Sequence, residues 1–203
     1  MADKKENIIV SVATIAADLA SVMRIAWEVS LAAKNAKVIA AQAGDQARGF
    51  QPITNFIDEI ATQAAEGVSR INDSALSVSR IAVQETRALE AYERFIKVAE
   101  LAKDARHVQS VKPAIEQVNK DLLDYQTQFK KQYRTLLQDL GDLSQVMLAA
   151  GAIASLCRVE GARAGEYRES LQVVAEDLDK ATTVIKQKIT NSYQRLNNME
   201  LSA

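Results

Sequence analysis

Punctuation is scarce in this sequence: its 203 residues hold seven glycines and two prolines. So few turn formers exclude a fold of many short elements and leave a small number of long helices. Aromatic residues make up only 5%. Much of the remainder is Ala, Leu, Glu, Gln, Lys and Arg, strong helix formers that offer little bulk for a globular core. The single cysteine, Cys157, allows no intramolecular disulfide. The single histidine, His107, excludes the four-helix carboxylate metal sites, which need Glu-x-x-His on two helices. No charge excess exists either. With 25 Lys+Arg against 26 Asp+Glu the net charge is −1, and the basic surface needed to neutralise phosphates is missing, so nucleic acid is not an expected partner. The longest apolar run, residues 146–157, is shorter than the ~20 residues of a membrane helix. The start "MADKKENIIVSVATIAADLA" carries Asp18 inside its apolar part and shows no small-residue cleavage pattern. The expectation is a cytoplasmic protein with no cofactor, no metal and no direct membrane insertion.

What the sequence does have is helical periodicity. A first helix beginning near Glu6 carries Ile8, Val12, Ile15, Leu19, Val22, Ala26, Val29, Ala33, Ala36 and Ala40 at spacings of three and four, the seam of a long bundle or coiled coil. Toward its end the stripe shrinks to alanine, so neighbouring backbones should approach most closely there. Gly44 suits the left-handed residue just past a helix, and Pro52 suits the first turn of the next. The second helix carries Ile57, Ile60, Ala64, Gly67, Ile71, Ser74, Val78 and Ile81, then Glu85, Ala88, Tyr92, Phe95 and Ala99, and is expected to reach Arg106, a span of roughly 80 Å. At "HVQSVKP" Ser110 is a candidate cap and Pro113 a helix start. A third helix follows through Ile115, Val118, Leu122, Tyr125, Phe129, Leu136, Leu143, Val146, Ala150, Ile153 and Cys157, and a fourth, after Gly165, through Leu171, Val174, Leu178, Ala181, Ile185 and Ile189.

The two glycine stops are related. Laying "VIAAQAGDQARGFQPI" over "VEGARAGEYRESLQVV" matches Val38 with Val159, Ala41 with Ala162, Ala43 with Ala164, Gly44 with Gly165 and Gln51 with Gln172, a short internal repeat. The expected architecture is therefore all-α. It consists of two tandem helical hairpins, residues 1–107 with a tip at 44–51 and residues 108–203 with a tip at 164–171, closed into one long antiparallel four-helix bundle.

The first tip, "NAKVIAAQAGDQARGF", resembles the signalling tip of bacterial methyl-accepting chemotaxis receptors at Asn35, Ala36, Val38, Ala40, Ala41, Ala43, Gly44, Gln46, Arg48, Gly49 and Phe50. Upstream, "RIAWEVSLAAKNA" is similar to the same family, with Trp27 where Phe is usual. The second tip is similar at Val159, Glu160, Ala162, Arg163, Ala164, Gly165, Glu166, Val173, Val174 and Ala175. The resemblance implies a single-chain pseudo-dimer of a chemoreceptor signalling hairpin. Its tips would bind a chemotaxis-type histidine kinase or its coupling adaptor, and homo-oligomers would form through the bundle or the tips. Carried onto this sequence, Glu160, Arg163, Glu166, Val173 and Val174 would make the partner contact, with Asn35, Asp45, Arg48 and Phe50 shaping the first tip.

The departures are specific. The family's Glu and Arg at the first tip are Ile39 and Gln42 here, a glycine is Ala47, and an adaptor-surface Val is Pro52; at the second tip Arg-Gly-Phe has become Glu169, Ser170 and Leu171. No sensor domain or HAMP-like segment is expected. Gln84 and Glu85, with Thr86, look like a methylation site but sit too near the tip, and an ordinary polar helix face is the stronger reading. Cys157 on a core face reads as a small hydrophobe rather than a nucleophile, and His107 as a turn residue. Trp27 is either an interface anchor or a core residue. Arg48, Gly49 and Phe50 lie beyond what a turn demands, which favours a recognition tip over a plain hairpin turn. An enzyme is not expected. The alternative is an assembly coiled coil derived from a chemoreceptor hairpin and reused for an unrelated partner or for itself.

Overall fold

The computed structural model describes residues 2–104 and 108–201, with side chains from Val10 to Asn198 apart from Gln46 and the gap. All regular structure among them is helical. Four long helices follow in order: α1 (Ala2–Ala43), α2 (Gln51–Leu101), α3 (Lys112–Gly161) and α4 (Arg168–Leu201). They differ in detail from the sequence reading. α1 begins at Ala2 rather than near Glu6, and α2 ends at Leu101, short of the expected Arg106. Arg106 and His107 lie outside the described residues.

Pro52 and Pro113 both fall in the first turn of their helices, where a missing N–H leaves no hydrogen bond unmade. The cap of α3 is Val111, not Ser110, which belongs to the 3-10 turn Val108–Val111. Gly44 and Gly165 adopt φ of 54° and 55°, the left-handed geometry that ends a helix at little steric cost only for glycine.

Each helix packs on two others: α1 on α2 and α4, and α3 on α2 and α4. Ser30 donates to Asp58 Oδ1 at 2.6 Å and Lys37 Nζ to Asn55 Oδ1 at 3.1 Å, so contacts move back along α2 as they advance along α1. Every described residue of the α1 stripe is buried, as is every residue of the α4 stripe. On α2 burial is complete only as far as Ala82; Tyr92, Phe95 and Ala99 are half-buried.

Near the turns the core is built of small residues, including Ala33, Ala36, Ala40, Ala154, Cys157 and Gly161. A Cβ on Gly161 would touch Leu171 Cβ at 3.4 Å, so the backbones run close together there. α1 and α3 are also long and apolar enough, by length and composition, to cross a membrane.

Candidate functional site

The two glycine-stopped turns, α1 to α2 and α3 to α4, lie against each other at one end of the molecule. In the first, Gly44–Ala47 forms a 3-10 turn, and the Phe50 N–H donates to the Ala47 carbonyl at 2.9 Å before α2 begins. In the second, the Ala164 N–H reaches the Gly161 carbonyl at 3.1 Å and the Tyr167 N–H the Ala164 carbonyl at 3.0 Å. At the end of α3 the Arg158, Glu160 and Gly161 carbonyls accept from the Ala162, Arg163 and Ala164 N–H groups, each at 3.1 Å, and so do not lack partners where the helix stops.

Glu160 joins the two turns. Arg163 Nη1 donates to its Oε1 at 3.0 Å, while the other carboxylate oxygen lies where a Cβ on Gly49 would have to sit. Gly49 is therefore small because a side chain from the other turn fills its place. The Glu160 side chain is only 22% exposed, against 71% for Arg163, so the guanidinium is the part of the pair that faces solvent.

Among the residues expected to form the site, Asn35, Asp45, Arg48, Arg163, Glu166 and Val173 are exposed and Glu160 is half-buried. Val174, expected to make a contact, is buried, and so is Phe50, completely, in keeping with a part in shaping the first tip. Their side chains hold the turns in place from inside and offer a docked partner no surface. The Arg-Gly-Phe segment accordingly divides. Gly49 and Phe50 have packing reasons, and Arg48 alone points outward.

Trp27 is 66% exposed, which removes the core reading. With Met23, Leu31 and Val38 it forms an outward apolar line on α1, spaced as one helix face. Leu148, Leu156 and Val159 form a similar line on α3. When Gly44 is laid on Gly165, Trp27 falls on Leu148, Asn35 on Leu156 and Val38 on Val159.

Between α2 and α3 is a polar contact that helical periodicity does not reveal. Ser74 donates to Asp139 Oδ2 at 2.7 Å, with Arg70 Nε 3.8 Å from Oδ1. The same register carries Asp18 onto Asp139, and Asp18 pairs with Arg195 of α4 at 4.0 Å. Extending the repeat upstream from the glycines would have found both acids.

Cys157 is fully buried, and burial pushes its thiol from the usual 9.0 up to about 11. Above pH 9 the unfolded chain loses a proton that the folded chain keeps. Stability from this group is thus complete below pH 9.0 and lost as pH rises through about 11. Comparing melting temperatures with Cys157→Ala from pH 8 to 11 tests this: the native chain should lose more over that range, and parallel curves would contradict it.

In comparison with curated proteins, the chain is similar to the methyl-accepting chemotaxis protein HlyB of Vibrio cholerae, 31% identical over 96 residues. The match covers 45% of this chain and 17% of that protein, so the chain spans a small part of its relative's length. No protein-family model matches, and no solved structure does.

Proposed function

We propose that the chain is a non-enzymatic, cytoplasmic signalling or scaffold protein of the chemoreceptor kind. Residues 1–107 and 108–203 are its two helical hairpins, and they close into one antiparallel four-helix bundle as a single-chain pseudo-dimer. Its tips dock a chemotaxis-type histidine kinase or the coupling adaptor. The observation that carries this reading is the pair of glycine-stopped turns at one end, with Arg163, Glu166 and Val173 outward and Glu160 held beneath them. The similarity to a chemotaxis receptor supports it further.

A second reading, an assembly protein that reuses this scaffold for another partner or for itself, draws on a different observation. Gly49 and Phe50 are explained by internal packing, and the Trp27 face offers apolar area for association between copies.

Pull-down of the tagged chain from its native cells, beside an Arg163→Glu, Glu166→Lys variant, separates them. Both positions are exposed, so the variant should keep its helicity and melting temperature. The first reading expects a histidine kinase or coupling adaptor with the parent and at least a tenfold loss with the variant. Capture of such a partner equally by both chains would overturn the site assignment, and an unrelated partner would favour the second reading.

A further inference from the structure

We infer that the interface between the two hairpins is heterotypic: the first hairpin accepts the second and discriminates against a copy of itself. A further chain could enter the four-helix core only by presenting the unlike hairpin. The inference stands on packing and does not depend on what the tips bind.

In the register that lays Gly44 on Gly165, the buried positions of the two hairpins coincide. Ile15 falls on Leu136, Leu19 on Leu140 and Ile57 on Leu178, and each is buried. The match in position is not a match in size. In one layer Ala26 corresponds to Met147, Ile60 to Ala181 and Ala64 to Ile185, and all six line a single void of about 10 Å³. A two-fold dimer of identical hairpins sets each axial residue against its own copy. Here each small residue has a large counterpart. Two first hairpins would bring Ala26 to Ala26 and Ala64 to Ala64, opening cavities, and would crowd Ile60 against Ile60. Two second hairpins would bring Met147 to Met147 and Ile185 to Ile185, overfilling those places, and would leave a gap at Ala181 against Ala181. Both errors are destabilising in a close-packed interior.

The turns repeat the asymmetry. Glu160 lies over Gly49, and the corresponding residues are Ile39 and Ser170. Pairing two second hairpins would put the Ser170 side chain where the Glu160 carboxylate has to lie. Pairing two first hairpins would set Ile39 over Gly49 and leave the carboxylate contact unmade. The Asp18 and Asp139 contacts do not discriminate, because like pairing would offer each acid a hydroxyl or guanidinium too; they set the axial register.

The test uses full-length variants and thermal unfolding. Met147→Ala, Ala181→Ile, Ile185→Ala makes the second hairpin copy the first in this layer. Ala26→Met, Ile60→Ala, Ala64→Ile does the reverse, and the chain with all six exchanges the two. Each triple variant should lose about 10 °C or more in melting temperature. The six-fold exchange should come within about 5 °C of the parent, since it restores large against small. An exchange variant that loses as much as the two triples together, or that fails to fold, overturns the inference, as do triples that melt with the parent. Independently, Gly49→Ser should lower the melting temperature and Glu160→Ala in the same chain should recover it. Equal losses with and without Glu160 would count against the tip contact.

Discussion

Phe50→Ala is expected to lower the stability of the folded chain by about 3–5 kcal/mol, the range for deleting a buried aromatic side chain. Phe50 is fully buried at the start of α2, in a core cluster rich in alanine that also holds Ile53, Ile57, Cys157, Leu171 and Val174. Small residues on rigid helices have few rotamers with which to fill the space, so the cavity should remain largely open. Its counterpart in the internal repeat is Leu171, also fully buried. Phe50→Leu therefore borrows a side chain already used at the equivalent place and should cost much less. Chemical denaturation of the three chains measures this. A loss below about 1 kcal/mol for Phe50→Ala would mean that the tip collapses around the cavity, which the close backbones there argue against.

The second large effect concerns the seam between α2 and α3. Ser74→Val should cost about 3 kcal/mol, because the Asp139 side chain, only 11% exposed, loses its 2.7 Å donor and is left poorly paired in the seam. Arg70 is left at 3.8 Å and is itself half in solvent, too weak a partner to compensate. Adding Asp139→Leu to Ser74→Val should return most of the loss, since an apolar pair of similar size is often as stable as a buried polar one. The double-mutant cycle is the measurement. Independent, additive effects would show that the two side chains do not act as a unit.

The core was legible because helical periodicity is a statement about burial. The α1 stripe from Val12 to Ala40 and the α4 stripe from Leu171 to Ile189 can be read from spacing alone, and each residue is buried. Gly44 and Gly165 were legible for another local reason, the need for positive φ. Features that depend on two segments meeting were not. Gly49 looked like part of a recognition motif because the residue that needs its small size, Glu160, is far away in sequence. Trp27 could not be placed, since a tryptophan on a helix satisfies a core and an interface pattern equally. The half-buried run from Tyr92 to Ala99 keeps the core spacing, yet burial also requires neighbours, and periodicity says nothing of how far they extend. The coarse class of the protein was readable at the turns; its partner depends on the exposed Arg163 and Glu166, whose chemistry many surfaces share.

The connection between Leu101 and Lys112 has a further consequence. In the proposed pseudo-dimer one chain carries both hairpins, so their meeting is a first-order event, governed by an effective concentration on the order of millimolar for a short tether. Two separate polypeptides would come apart on dilution to nanomolar amounts unless their affinity were high. A tethered pair stays assembled in a cell that makes only a few copies, and its melting temperature should not change with protein concentration wherever the chain is monomeric.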